Sequence, residues 1–297
     1  MNVSIAHLGP SGTYAEQAAL AYVNLVHQQT GQEATLCPLP SIAQTLRAVA
    51  QGKVDLVVVP VENSIEGSVA ITLDMLWQLD TLQIQQALVL PIAHSLMSRA
   101  QSLEAIKTVY SHPQALAQCQ GWLEQFLPGV QLVPTNSTTE ALQQLEEDWT
   151  AAAIASLRAS QLYNLPVLAS AINDYSDNYT RFWVVSQNQS QISSHTSSLS
   201  PTHTSLAFSM RANVPGALVK PLQVFAQRGI NLSRIESRPT KRSLGEYLFF
   251  IDFEGDANSS LVQSALAELT AYTEILKLFG SYSILPIQPP RADGVMG

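Results

Sequence analysis

Short apolar runs and amphipathic stretches alternate along residues 1–186, the pattern of strands each followed by a helix. Val3–Leu8 reads as a strand that meets the turn Gly9-Pro10-Ser11-Gly12. Thr13 and Glu16 then form a capping-box pair opening a helix over 15–26. Ser41 starts a second helix, 42–51, and Gly52 ends it. The run 54–59 is nearly all apolar, as a strand buried on both faces of a parallel sheet should be. It enters the polar loop Pro60–Gly67, and an apolar helix runs from Ser68 to Leu76. Strands are expected at 83–90, 91–97 and 107–110, then a helix over 115–126 with Ser111 as its N-cap and Pro113 in the first turn. A strand at 131–133, a helix from Ser137 or Thr138 to Trp149, a strand at 151–155, a helix at 158–163 and a strand at 167–171 follow. Asp174–Val185 then passes from a polar turn into an aromatic and β-branched strand.

The pattern breaks at 187–203, which is rich in Ser, Thr and Gln and nearly uncharged, as a linker between domains is. Beyond it come a strand (204–210), a helix (217–228) ended by Gly229, strands at 230–237 and 246–253, a helix to about Ala271 and a last strand, 275–284. The order βαββαβ predicts a ferredoxin-like domain. Its antiparallel sheet would carry helices on one face and leave edges and the other face for a partner, which suggests a dimer.

Composition narrows the chemistry. The formal charge of −8 excludes the basic footprint of a nucleic-acid binder but leaves room for an anionic small molecule, which helix N-termini can hold without many cations. Cys37 and Cys119 lack metal or redox spacing and suit a reducing compartment. No His or Cys pattern resembles a metal site, no run is long enough to span a membrane, and residues 1–8 read as a strand instead of a signal peptide. A cytoplasmic protein is expected.

Polar residues at strand ends are the candidate site. Glu62, Asn63 and Ser64 lie at the carboxyl end of a strand, where open α/β sheets bind ligands. Ser111 and Gln118, two helical turns apart, should share a side of one helix. Thr180 should share a strand face with Phe182 while Arg181 points away. A lone His112 is an ordinary capping or packing residue, and a strand-starting Thr is by itself unremarkable.

Taken together, Gly9–Tyr14, Glu62–Gly67, Ser111–Gln114 with Gln118-Cys119, and Thr180-Arg181-Phe182, with Gly216–Val219 and Glu236–Pro239 further on, resemble one family along nearly the whole chain: prephenate dehydratase carrying a regulatory ACT domain. The resemblance implies a two-lobed catalytic domain like a type II periplasmic binding protein over 1–186. The first lobe would span about 1–88 plus 167–186 and the second about 89–166. An ACT domain over 204–284 and a tail over 285–297 would follow. It implies Thr180 as the catalytic residue, with Thr13, Asn63, Ser64, Ser111, Gln118, Arg181 and Phe182 around the substrate prephenate. It also implies L-phenylalanine as allosteric inhibitor at Gly216, Ala217, Leu218, Val219, Glu236, Ser237, Arg238 and Pro239, between paired ACT domains of a homodimer or homotetramer. No cofactor is implied. Arogenate dehydratase and a non-catalytic two-lobed sensor are the alternatives. Leu278–Tyr282 departs slightly from the family's final strand.

Overall fold

The computed structural model describes residues 2–146, 148–187 and 200–288. Most of the linker expected at 187–203, and the tail beyond 288, lie outside these residues.

The first lobe contains β1 (Val3–Leu8), α1 (Tyr14–Thr30), β2 (Ala34–Leu39), α2 (Ile42–Ala50), β3 (Leu56–Asn63), a two-residue β4 (Gly67–Ser68), α3 (Ala70–Gln78) and β5 (Leu82–Pro91). The chain then crosses to a second lobe of β6 (His94–Ser98), β7 (Thr108–Ser111), α4 (Pro113–Ala117), α5 (Gln120–Phe126), β8 (Gln131–Pro134), β9 (Ala151–Ser156), α6 (Leu157–Tyr163) and β10 (Val167–Ala169). It returns as β11 (Tyr179–Gln187), which inserts antiparallel between β3 and β5.

Three expectations change here. β10 pairs with β6, so residues 167–169 belong to the second lobe and the return to the first comes after them. The helix expected over 115–126 is two helices, because the Asp174 carboxylate accepts from the Gly121 and Trp122 amides and caps α5 from another segment. In place of the helix expected from Ser137 to Trp149 there is a 3₁₀ turn, Glu140–Leu145.

The C-terminal domain is β12 (His203–Met210), α7 (Val219–Ala226), β13 (Leu232–Pro239), β14 (Tyr247–Glu254), α8 (Ser260–Leu269) and β15 (Thr273–Pro286). This is the expected ferredoxin-like order. The sheet face expected to be free is covered. Alternation along β14 sends Ile251 and Phe253 to the helices, and Leu248 and Phe250 into the first lobe's core with Val57, Val59, Trp183 and Val185. Burial of each such side chain contributes roughly 1.5–3 kcal/mol.

One edge is also occupied. The end of β15 pairs in parallel with β5, from Ser283–Gln86 to Pro286–Val89, so β15 runs past the boundary expected at 284 and the two domains share a sheet. Gly280 permits the approach: its φ is +124°, and a Cβ there would sit 2.8 Å from the Ile84 carbonyl oxygen. β13 is the edge of this domain's sheet left unpaired among the described residues.

Candidate active site

A cleft of about 850 Å3 opens between the two lobes. The strand ends and helix starts of the first lobe form one wall, with Thr13, Tyr14, Asn63, Glu66, Ser68, Thr180 and Phe182. The second lobe contributes His94, His112, Gln118, the 136–140 segment and Tyr163.

Thr180 lies at the start of β11, directly across from Asn63. Asn63 Nδ2 donates to Thr180 Oγ1 at 3.0 Å and to Asn178 Oδ1 at 2.8 Å. Its Oδ1 accepts from the Ile65 and Glu66 amides, so the ring of contacts fixes which way the amide faces. Thr180 therefore receives a hydrogen bond, and its own hydroxyl hydrogen has no acceptor among the described residues. It remains available to whatever fills the cleft. Between Arg181 and Phe182 the register slips on the β3 side only, with Val61 the extra residue; against β5, β11 stays regular from Tyr179 to Val184 and slips only beyond, at Gln85. Alternation thus holds: Thr180 and Phe182 face the cleft, and Arg181 faces the other way.

Gln118 closes the cleft from the second lobe. Its Oε1 accepts from Asn178 Nδ2 at 2.9 Å and lies 3.1 Å from His94 Nε2, and its Nε2 donates to Glu66 Oε1 at 3.3 Å. Burial pushes the His94 imidazole down to about 4, with the Gln118 contact opposing it, so the ring is neutral near pH 7. A neutral ring that donates from Nε2 to Gln118 leaves Nδ1 as an acceptor 3.0 Å from the Tyr14 hydroxyl, whose one hydrogen is shared with the Ala93 carbonyl at 2.8 Å. Burial also raises the Tyr14 phenol. His94, Tyr14 and Asn178 were given no role by the sequence. Tyr14 closes the Gly9–Tyr14 stretch and Asn178 lies two residues before Thr180, so both were close to named residues, whereas nothing local marked His94.

Thr13 builds the helix start as expected. Its Oγ1 accepts from the Glu16 amide, and Glu16 Oε2 accepts from the Gly12 amide at 2.7 Å. The amides of Tyr14 and Ala15, in the first turn of α1, have no partner among the described residues and sit at the cleft wall.

Other expected members do not reach the cleft. Ser111 ends β7 instead of capping a helix. Its buried hydroxyl donates to the Ile154 carbonyl at 2.6 Å, and the N-cap is His112, whose Nδ1 accepts from the Gln114 amide. Ser111 and Gln118 therefore do not share a helix face. Ser64 spends its hydroxyl on the Asp177–Tyr179 backbone and braces the strap that leads to Thr180. Arg181 meets Glu62 and, at 3.2 Å, Asp252 of the C-terminal domain, so it is not in the cleft. Burial opposes its charge, but Asp252, Tyr282 and Glu62 hold its guanidinium above the ordinary value.

A second cavity, about 570 Å3, lies in the C-terminal domain. Gly216, Ala217, Leu218 and Val219 line it with Arg211, Asn213, Arg242 and Tyr247. Glu236, Ser237, Arg238 and Pro239 do not. Alternation on β13 turns Glu236 onto Ser68 and Arg238 onto Asp74, and leaves Ser237 and Pro239 exposed on the other face. The two expected halves of an effector site are thus separated within one chain.

No cluster of His, Cys, Asp and Glu among the described residues could hold a metal ion, and none of their helices is long and apolar enough to cross a membrane. A family model for prephenate dehydratase matches residues 5–190, and one for the ACT domain matches 204–271. The chain is 41% identical over 283 residues to the bifunctional chorismate mutase/prephenate dehydratase of Aquifex aeolicus, covering 94% of this chain and 73% of that one. It is 36% identical over 286 residues to the prephenate dehydratase of Methanocaldococcus jannaschii, covering 96% and 99%. The prephenate dehydratase of Arthrobacter aurescens, solved in complex with L-Phe, matches with a TM-score of 0.82 at 36% identity, covering 99% of this chain and 92% of that one. The chain belongs to the prephenate dehydratase family of lyases, its catalytic domain followed by an ACT domain.

Proposed function

We propose that the cleft converts prephenate to phenylpyruvate, carbon dioxide and water, with Thr180 as hydrogen-bond donor to the departing hydroxyl. The observation that carries this reading is the unspent hydroxyl hydrogen of Thr180, held at the cleft wall by Asn63. One proton is consumed with the dianion: carbon dioxide leaves, its bonding electrons enter the ring, and the hydroxyl departs as water. Donation to that oxygen as charge develops is worth about 100–10,000-fold.

The cleft's polarity suits the other half of the reaction. Among the described residues that line it, none is Lys or Arg. A cation against the ring carboxylate would stabilise it most before it leaves as neutral carbon dioxide, and so would slow its loss. Phe182, Leu8 and Ile92 offer an apolar wall instead. The pyruvyl carboxylate, which stays charged, has the open amides at the start of α1. Thr13 supports that site through its cap, Phe182 forms the wall, and Gln118 holds the second lobe shut.

L-phenylalanine is the proposed inhibitor, bound in the ACT cavity at Gly216–Val219, as the ligand of the Arthrobacter relative suggests. Glu236–Pro239, apart from that cavity within one chain, would complete the site from the ACT domain of a paired copy, toward which the exposed Ser237 and Pro239 are free to turn. The unpaired β13 edge, with Ile235 exposed, is a surface on which ACT domains of two copies could join into a homodimer or homotetramer. The test is turnover of prephenate and of arogenate by purified protein, with and without phenylalanine, on a sample whose mass is read by light scattering. Prephenate turnover inhibited by phenylalanine in an oligomer is expected. A strong arogenate preference overturns the substrate, and an unaffected rate overturns the effector.

A further inference from the structure

One row of the sheet joins the two domains beside the proposed donor. Thr180 and Asn63 are cross-strand partners, and the next pair along is Arg181 with Glu62. Glu62 is in turn the partner of Ser68 on β4. The first pair opens on the cleft. The second is turned to the ACT domain, where the row meets two carboxylates. Asp252 Oδ2 lies 3.2 Å from Arg181 Nη2, and Glu236 Oε2 accepts from Ser68 Oγ at 3.0 Å.

Asp252 is 1% exposed and is held within its own domain by Ser205 Oγ at 2.6 Å and Arg234 Nη1 at 3.3 Å. It is therefore a fixed point. A single guanidinium, that of Arg181, spans this carboxylate and Glu62 of the catalytic domain. β14 carries Asp252 on one face and, on the other, Tyr247 and Phe249, which line the ACT cavity. A ligand that moves β14 moves both.

We infer that Asp252 is a positioning residue of the catalytic site. Through Arg181 and Glu62 it fixes the β3–β11 pairing that holds Asn63 against Thr180, and it is the contact by which occupancy of the ACT cavity reaches the reaction. This rests on the reading of Thr180 and of phenylalanine given above. An effector can inhibit only through a contact that differs between two states, and this bridge is a buried contact between the element lining the cavity and the strand bearing the donor.

The test compares full-length Asp252→Asn and Arg181→Lys with Lys277→Ala. Lys277 makes a separate interdomain contact, donating to the Leu76, Trp77 and Leu79 carbonyls. Both row variants should lose about 3- to 10-fold in kcat with KM within about twofold, since the donor and not substrate binding is displaced. Phenylalanine should still bind by calorimetry but inhibit at least about tenfold less potently, while Lys277→Ala stays within about twofold on both measures. In the Thr180→Ala background, phenylalanine titrated with and without prephenate reads the coupling directly. Adding Asp252→Asn should bring that affinity ratio to about one. Arg181→Lys keeps the test decisive if Asp252→Asn does not fold. Wild-type kcat and phenylalanine response in both row variants overturn the inference. So does a Lys277→Ala variant that reproduces their behaviour, which would mean general loosening of the interface. Wild-type protein that binds no phenylalanine overturns the parent reading and with it the coupling, and the kcat comparison then still decides the positioning role.

Discussion

The two faces of β11 are built from opposite chemistry. Toward the cleft, Thr180 and Phe182 join a network of amides, hydroxyls, a neutral imidazole and the Glu66 carboxyl group, with no cation among its described residues. Toward the ACT domain, Arg181 and Trp183 meet a seam of charges: Arg181 between Glu62 and Asp252, Arg238 and Lys241 on Asp74, Lys277 on Asp80. An acidic protein with few cations has placed several of them between its domains and none among the residues lining the cleft. In the proposed reaction the cleft recognises an anion that loses a carboxylate, where a fixed cation would be counterproductive. The seam has to hold two domains in one register, and its buried pair, Arg181 with Asp252, does this well because displacing one partner leaves a buried charge unpaired.

The largest expected effect falls on the cleft face. Thr180→Ala should lower kcat by about 100- to 10,000-fold, while Thr180→Ser, which keeps the hydroxyl, should stay within about tenfold of wild type. Steady-state kinetics with prephenate checks both. A Thr180→Ala enzyme within tenfold of wild type would mean that the donor lies elsewhere in the cleft, and the contrast between the two faces would lose its catalytic meaning.

Next in size is the response to acid. His94 is buried neutral, its folded value about 4 against 6.5 for the free ring. Between those values the unfolded chain binds more protons than the folded one, so stability falls as pH drops from about 6.5 to about 4, by about 3 kcal/mol in total. His94→Gln should flatten that fall. Urea unfolding of both proteins across the window measures the difference. His7, also lowered by burial, adds a loss of the same sign in both proteins, so only their difference reports on His94. Equal slopes would show that the cleft admits a cation there, against the cation-free lining described above.

What could be read from the sequence divides along the same lines. The βα units, the Thr13–Glu16 cap and the opposed directions of Thr180 and Arg181 follow from local periodicity, and the structure has them. The misjudged residues all depend on distant partners. Ser111 looked like a cap because nothing nearby marks Ile154 as its acceptor. The helix break near Gln118 is set by Asp174, and the direction of Arg181 gained its meaning only from Asp252. The small departure at Leu278–Tyr282 contains Gly280, where β15 bends onto β5. No periodicity reports a partner that far away along the chain.

Asn63 offers the finest division between the two faces, because its neighbour Glu62 belongs to the seam. Its Nδ2 is shared among Thr180, Asn178 and the Tyr179 carbonyl, and its Oδ1 collects the Ile65 and Glu66 amides. Asn63→Ala removes the bond that turns the Thr180 hydroxyl outward and loosens the 63–66 turn at once. Asn63→Asp keeps the acceptor for the two amides but replaces the donor with a carboxylate oxygen, which would accept the Thr180 hydrogen and withdraw it from substrate. Orientation of an otherwise intact donor is worth about 10- to 100-fold. Asn63→Asp should therefore cost at least as much kcat as Asn63→Ala, although it preserves more of the local fold. Kinetics alongside thermal melting separates the cases. If Asn63→Asp is the more stable and the more active of the two, Asn63 serves the turn and not the donor. If it is the more stable and the less active, the direction of one hydroxyl hydrogen sets the rate.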